Sequence, residues 1–370
     1  MRVLFITSSD LSSAVMNGGM TVSLRNLELL RSLPDTDVKA FSLSRTTRGV
    51  IDDIEYLPST KNKYETLLMN MLGFSAYLSF TAEKTVLDHI VSEEYDIIYL
   101  DTSNFGRLAK KIKKISQARI VVFFHNVEVV YAKESVRLDG IQYLPMVLSN
   151  YLNEKWATRY GDVFVAINER DKEIIEKIYK KRVSEVLSVW YPDRPFIEDT
   201  RGLSSPLNVL FLGSYFHANV AGISWFIDLV LPLADIKLTI AGRGMEQLLN
   251  KYNESAKLEI LGTVDDIESL YEEADCVVAP IFDGSGMKVK TGEAFRFGKT
   301  VVGTKEAFEG YGVTHGKEGY YCSSVSDFTE TFDTINNILH TKTNIDSWNL
   351  FQNQLSKGAA LLRLQALMNR

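Results

Sequence analysis

DGSGMKVKTGEAF, residues Asp283 to Phe295, directly follows the apolar run Cys276-Val277-Val278-Ala279-Pro280-Ile281. A short β-type run ends at Pro280, and two glycines within three residues loosen the backbone. Lys288 to Phe297 then reads as a helix with Lys288, Lys290 and Glu293 near its start. This pattern describes an anion site. Gly284 and Gly286 let main-chain N–H groups approach a ligand without interference from Cβ, and the free N–H groups of the helix start carry roughly half a positive charge. Lys288 and Lys290 add two ammonium groups, and Glu293, one turn further on, is placed to accept hydrogen bonds from a ribose diol. A solvated loop with two surface lysines and a helix-facing glutamate is the plainer alternative, and spacing alone does not separate the two.

Two other phosphate motifs are excluded. Gly298-Lys299-Thr300 has the ending of a Walker A loop, but the position five before Gly298 is Glu293, and helix precedes strand rather than following it. No GxGxxG follows the first strand. Neither a P-loop ATPase nor a dinucleotide oxidoreductase is favoured.

At 370 residues, 45% hydrophobic and 24% charged, the chain has the composition of a globular protein of two domains. A net charge of -6 argues against a partner bound chiefly through nucleic-acid phosphates. Cys276 and Cys322, the only cysteines, lie in apolar strand-like runs and are expected as buried thiols in a reducing cytoplasm. The opening Met1–Ile6 run is too short for a signal-peptide core, and no apolar run approaches the ~18 residues of a membrane span.

In the first half, candidate strands Val3–Thr7, Val38–Leu43, Asp96–Asp101, Ile120–Phe124 and Val163–Ile167 alternate with segments of helical period, which predicts a parallel sheet with right-handed crossovers. Ligands of such sheets bind at the carboxyl ends of strands, so the loops after Thr7, Phe124 and Ile167 are candidate sites. Gly18-Gly19 before the helix Met20–Leu33 permits close backbone approach, or is a flexible turn. Asp35-Thr36-Asp37 has the form of a metal-binding DxD triplet but reads as a polar turn after Pro34. His125 stands at the end of a buried strand, a better place for a ligand-facing histidine than those of the other four.

Six basic residues and no acidic one lie between Arg107 and Arg119, and Lys177, Lys180, Lys181 and Arg182 form a second cluster. Such stretches suit peripheral contact with anionic lipid, or a solvated helix face. From Asp193 to Pro206 the pattern lapses into prolines, glycine and serines, which reads as a linker. A second α/β series follows, with strands Val209–Leu212, Lys237–Ala241, Leu258–Leu261, Cys276–Pro280 and Thr300–Val302. Beyond Val325 the chain reads as helical. Trp348, Phe351, Leu355, Ala359 and Leu362 give the last helix one apolar stripe.

The run Gly213-Ser214-Tyr215-Phe216-His217-Ala218-Asn219, with Gly222, Trp225-Phe226, Pro232, Ala241-Gly242-Arg243, Gly262, Ala274-Asp275, Ala279-Pro280, GSGMKVKTGEA and GKTVVGT, resembles the donor half of GT-B glycosyltransferases of family 4 type, over roughly residues 207 to 322. The front half is similar more loosely, through Gly18-Gly19 and Phe124-His125-Asn126.

The resemblance implies two Rossmann-like domains facing a cleft. An acceptor-side domain would span 1–195, a linker 196–206, a nucleotide-sugar domain 207–344, and a C-terminal helix at 345–370 would cross back to the first domain. It implies transfer of a sugar from a nucleotide-sugar to a glycan or lipid-linked acceptor, with retention and without a metal or other cofactor, in polysaccharide or glycoconjugate synthesis. The implied location is cytoplasmic, at the inner face of the membrane if the Arg107–Arg119 stretch makes its contact. Glu293 matches the second glutamate of the family's E-x7-E motif and would bind ribose. The first glutamate falls on Ser285, a replacement shared with a branch that carries two basic residues where Lys288 and Lys290 stand. His125, Lys288 and Lys290 are the implied catalytic residues, with Gly18, Gly19, Gly213, Ser214, Arg243, Asp283, Gly284, Ser285, Gly286 and Met287 joining Glu293 around the donor. A non-catalytic GT-B partner subunit and a nucleotide-sugar epimerase are the alternatives.

Overall fold

The computed structural model describes residues 1–12, 18–45, 53–74, 77–283 and 287–369. They divide into two compact units, Met1–Val189 together with Ala360–Arg370, and Trp190–Ala359.

The first unit begins with β1 (Arg2–Thr7), α1 (Gly18–Arg31), β2 (Asp37–Ser44), β3 (Ile54–Pro58), α2 (Lys63–Met71), α3 (Phe80–Ser92) and β4 (Ile97–Leu100). It continues through α4 (Gly106–Ile115), β5 (Arg119–Phe124), α5 (Glu128–Asp139), α6 (Leu144–Tyr160), β6 (Val163–Ala166), α7 (Glu169–Tyr179) and β7 (Glu185–Val186). Its seven strands are all parallel, in the order β3-β2-β1-β4-β5-β6-β7. The strand order reverses at β1, so β1 and β4 flank the switch point where a crevice opens at the carboxyl edge. Residues of odd and even number point to opposite faces. Leu4, Ile6, Ile98, Leu100, Ile120 and Val122 enter one core cluster, while on the other face Phe5, Tyr99 and Phe123 stack across three neighbouring strands at 5.7 and 6.4 Å. Burial on both faces explains why these strands are unbroken apolar runs.

The second unit repeats the design with β8 (Leu207–Leu212), α8 (His217–Leu229), β9 (Ile236–Ala241), β10 (Leu258–Gly262), α9 (Ile267–Glu273), β11 (Cys276–Ala279), α10 (Val289–Arg296), β12 (Thr300–Gly303), β13 (Gly319–Tyr321), α11 (Val325–Ile338) and α12 (Ile345–Leu350). Its parallel sheet runs β10-β9-β8-β11-β12-β13, with the switch point between β8 and β11. Val209, Phe211, Cys276 and Val278 face one core, and Leu210, Leu212, Val277 and Ala279 face the other. Both cysteines are buried and free.

The single apolar stripe expected after Val325 is corrected by the structure. After α12 the chain widens into a π turn, Phe351–Leu355, closed by the Ser356 amide donating to the Phe351 carbonyl at 2.9 Å. Ser356 is extended, and its hydroxyl accepts from the Ala359 amide, so a new helix α13 (Lys357–Met368) starts with its phase reset. Phe351 and Leu355 are buried as expected. Leu362 faces solvent, and α13 buries Ala360, Leu364, Leu367 and Met368 instead. Residues from Ala360 onward join the first unit, where the Arg119 guanidinium donates to the carbonyls of Leu367 and Met368.

Candidate functional site

In the second unit, the loops after β8 and β11 lie at the carboxyl edge on either side of the switch point. Gly222 of α8 brings them together. A Cβ added there would sit 1.8 Å from the Pro280 carbonyl oxygen, so only glycine lets α8 press on the end of β11. Trp225 then meets Phe282 edge to face at 4.8 Å. The turn after β9 closes on the same edge. Gly242, at φ +131°, lies against the Gly213 carbonyl, which an added Cβ would approach to 1.9 Å. The Ser214 carbonyl accepts from Asn219 Nδ2 and the Phe216 amide, which shapes the entry to α8. Arg243 is exposed, its carbonyl accepting from the Tyr215 amide.

Beyond Pro280, Asp283 is exposed and Met287 packs on the core that Leu210, Leu212, Val277 and Ala279 face, while Gly284, Ser285 and Gly286 lie outside the described residues. The N-cap residue of α10, Lys288, makes no side-chain cap hydrogen bond to its first amides. Two tyrosines hold that start in place, Tyr191 donating to the Val289 carbonyl at 2.6 Å and Tyr311 to the Lys288 carbonyl at 2.8 Å. Gly292 lets the Tyr191 ring lie flat on the helix, since a Cβ there would come within 2.6 Å of its hydroxyl.

The two lysines are in different states. Lys288 Nζ lies 2.6 Å from Glu306, a largely buried ion pair. Lys290 makes no ion pair or side-chain hydrogen bond among the described residues; burial lowers its pKa from the ordinary value, and the charge of Glu293 one turn on opposes that. Glu293 accepts a long bond, 3.4 Å, from Tyr271, whose ring stacks on Phe297. Neither Glu306 nor the tyrosines were singled out in the sequence, because each comes from a helix, linker or turn distant in the chain.

Lys299 of the GKT run has another task. It is buried at the amino end of β12, the sheet edge opposite the switch-point crevice, and donates to the carbonyls of Ala274 and Lys342. Burial pulls its pKa down to about 8. A cavity of about 240 Å³ beside it, lined by Arg194, Phe196, Arg296 and Trp348, therefore lies away from the candidate site.

In the first unit, His125 and Asp101 follow β5 and β4 on the same face, in line with Phe123 and Tyr99. His125 Nε2 is 3.1 Å from Asp101 Oδ2, and its ring stands edge-on to Phe123 at 5.0 Å. Asn26 of α1 donates to the other carboxylate oxygen at 2.8 Å, and the Asp101 amide donates to Ile6. Neither Nε2 nor Oδ2 meets hydrogen-bond geometry with any described residue, each other included, so the two face one another as a close charge pair. Burial is the largest influence on His125 and opposes its charge, but the charge of Asp101, polar contact with it and the charge of Glu128 together outweigh burial, and the pKa is raised from 6.5. Asp101 was not singled out in the sequence, although it ends a predicted strand.

Behind His125, Glu154 of α6 is fully buried and accepts from the amides of Glu128 and Val129 at 2.8 and 3.1 Å, from Ser103, and from Tyr179 at 2.6 Å. It thereby caps α5, which has no side-chain cap of its own. Burial lifts its carboxyl to about 7.

Gly18 and Gly19 open α1 and are exposed, and a Cβ at Gly18 would meet nothing within 4 Å. Asp35-Thr36-Asp37 forms a turn at the opposite, amino edge of the sheet, with the N-terminal ammonium donating to the Asp35 carbonyl. Of the basic stretch, Arg107 and Lys111 pair with Glu83 and Lys113 pairs with Asp162, so much of its charge is used within the unit.

Residues 206–341 match the family described as Glycosyl transferases group 1. A protein of Klebsiella pneumoniae, "Uncharacterized 44.6 kDa protein in cps region", is 28% identical over 355 residues, covering 86% of this chain and 87% of that one. Among solved structures, Anabaena HepE in complex with UDP aligns over 100% of both chains with a TM-score of 0.69 and 13% identity. The lipopolysaccharide outer core galactosyltransferase WaaB aligns over 100% of this chain and 99% of its own with a TM-score of 0.70 and 13% identity. Sucrose-phosphate synthase from Thermosynechococcus elongatus gives 0.69 and 13% over 100% and 98%. The chain therefore has the two Rossmann-like parallel-sheet units of the GT-B class, and residues 206–341, in its second unit, match the group 1 glycosyltransferase domain.

Proposed function

We propose that this protein transfers a sugar from a nucleotide-sugar to a glycan or lipid-linked acceptor in polysaccharide or glycoconjugate synthesis, with retention of configuration and without a metal. The observation that carries the reading is Lys290. Its ammonium is held partly out of water, with no ion pair or side-chain hydrogen bond among the described residues and only the charge of Glu293 one turn on to offset burial, at a helix start whose N-cap residue makes no side-chain cap, beside a switch point. A folded chain gains nothing from such a cation, whereas a pyrophosphate gives it a partner. The structures of HepE with UDP, with UDP and glucose, and with UDP-glucose support a nucleotide-sugar as that ligand.

In this reading Glu293 accepts from the ribose hydroxyls. Breaking the bond from sugar to phosphate leaves negative charge on the departing diphosphate, which Lys290, Lys288 and the α10 amides meet without reorganising. The acceptor hydroxyl enters on the face the leaving group vacates and gives its proton to a departing phosphate oxygen, so no separate base is required. His125, fixed by Asp101, is assigned the contact with the transferred sugar.

The test is thermal unfolding with individual nucleotide-sugars, since a ligand at 100 times its dissociation constant adds about 2.7 kcal/mol. Release of nucleoside diphosphate with a glycosylated product is then expected when acceptor is added. Stabilisation without release would assign a non-catalytic partner role, and conversion of the donor without acceptor an epimerase. No stabilisation by any nucleoside diphosphate would end the proposal.

A further inference from the structure

In the first unit, α6 packs with a polar side inward. Leu144, Leu148 and Tyr151 are exposed, while Ser149, Asn150, Asn153, Glu154 and Thr158 are buried. The buried five recur at the spacing of one helix face. Burying polar groups costs free energy unless each finds a partner, and a fully satisfied network rigidifies what it joins. This one reaches the segments that leave β4 and β5. Asn153 accepts from the Arg107 amide at the start of α4 at 3.0 Å, and Asn150 donates to the Glu128 carbonyl at the start of α5 at 3.2 Å. Gly106 permits the approach of α4, since a Cβ there would lie 1.8 Å from the Asn153 carbonyl oxygen.

Glu154 is the centre of the network. Its Oε1 accepts from the Ser103 hydroxyl, in the turn after β4, at 3.1 Å and from the Glu128 amide, after β5, at 2.8 Å. Its Oε2 accepts from the Val129 amide at 3.1 Å and from the Tyr179 hydroxyl, at the end of α7, at 2.6 Å. Asp101 lies two residues before Ser103, and His125 three before Glu128. One carboxylate therefore joins the two loops that carry the Asp101–His125 pair. Capping α5 uses only the two amides. The bonds to Ser103 and Tyr179 come from other elements and add nothing to that cap.

We infer that Glu154 is a positioning residue for His125, holding the loop after β5 against the loop after β4 so that the imidazole stays fixed on Asp101. Its effect on turnover rests on the reading that His125 contacts the transferred sugar, whereas the fixing of His125 does not. Glutamine cannot substitute. It has one acceptor oxygen, and whichever way the amide turns, its NH2 meets the Glu128 or the Val129 amide, donor against donor. A hydroxyl can turn away, and a main-chain N–H cannot.

Two variants of the full chain test the inference, Glu154→Gln and the double variant Ser103→Ala with Tyr179→Phe. The second keeps the carboxylate and both capping amides, so it removes the ties between loops and leaves the α5 cap in place. Proton NMR titration of His125, assigned with His125→Ala, is expected to move to lower pH in both variants as the imidazole loosens from Asp101. With the nucleotide-sugar that stabilises the parent, kcat should fall about 100-fold in Glu154→Gln, the cost of a misplacement of about 1 Å, and by less in the double variant, with the donor KM unchanged in each. If Glu154→Gln does not fold, the double variant decides. If the parent transfers no sugar, the glycosyl-transfer reading fails while the titration still decides the positioning. A double variant whose His125 titrates as in the parent, whether or not its stability falls, would leave Glu154 as a helix cap alone and overturn the inference, as would equal losses in kcat and donor affinity.

Discussion

Replacing Lys290 with alanine separates charge that serves a ligand from charge that serves the fold. The Lys290 ammonium has no ion pair or side-chain hydrogen bond among the described residues, and burial disfavours its charge. Its removal breaks no ion pair or side-chain hydrogen bond among the described residues, and the lost attraction to Glu293 is offset by the burial it relieves, so the urea midpoint of Lys290→Ala should be unchanged or slightly raised. Lys288 is the internal control. Its pair with Glu306 is 2.6 Å long, with the two side chains 13% and 24% exposed, and Lys288→Ala leaves that carboxylate without its cation. A fully buried broken pair costs roughly 3–5 kcal/mol, and partial exposure of Glu306 reduces this to about 1–2 kcal/mol. In catalysis the expectation reverses. Losing one preorganised donor to a developing diphosphate charge costs about 2.7–4 kcal/mol, ~100- to 1,000-fold in turnover. Rates of nucleoside diphosphate release at saturating donor, beside urea melts of both variants, give the comparison. Turnover of Lys290→Ala within a few-fold of the parent, or a stability loss as large as that of Lys288→Ala, would remove Lys290 from the site and with it the central support for the proposed chemistry.

Asp101→Asn keeps the shape around His125 but removes the charge that raises its pKa, so burial should then prevail and the pKa should fall below 6.5; proton NMR titration with His125→Ala for assignment measures it. Because the folded pKa of His125 is raised, its stabilisation is fully present below the unfolded value of about 6.5 and is lost as pH rises through the folded value. The stability gap between the parent and Asp101→Asn should therefore shrink from pH 5 to pH 8, and a gap independent of pH would sink the pairing. Gly222→Ala drives a Cβ to 1.8 Å from the Pro280 carbonyl, and the overpacking should cost about 1–3 kcal/mol in urea unfolding while moving the loop that leads to α10. An unchanged midpoint would mean that α8 and the end of β11 are not pressed together.

The central strands were legible in the sequence because both of their faces are buried, which leaves apolar runs such as Val277-Val278-Ala279 and Val121-Val122-Phe123. β3, β7 and β13 were not. Each is the outer strand of a sheet or the one beside open edge, short and mixed in polarity, and its pairing is supplied by a neighbour rather than by its own burial. The C-terminal stripe failed for a different reason. Helical spacing carries phase across any number of residues, but a π turn at Phe351–Leu355 and a serine cap at Ser356 restart it, and only Ser356 three residues before Ala359 hints at the break. At the candidate site, the lysines and Glu293 were legible as a local pattern around α10, whereas Tyr191, Tyr311 and Glu306 reach it from segments that sequence spacing does not connect.

Asp101 is the informative omission, because the rule that selects His125 selects it too. Side chains alternate across a strand, so Tyr99 and Asp101 share a face, as do Phe123 and His125, and β4 pairs with β5 in parallel register with Tyr99 opposite Val121. Parallel neighbours in that register place residues of like parity on one face at one edge. A carboxylate ending one predicted strand and an imidazole ending the next are therefore adjacent before any coordinates are known, provided the two strands are taken as neighbours. What the sequence lacks is that proviso. Strand order comes from how the crossover helices pack, and Asn26, reaching Asp101 from α1 at 2.8 Å, fixes the carboxylate from an element 75 residues away. The chemistry at a switch point is thus half local, written in the residues that end each strand, and half topological, decided by which strands the fold sets side by side.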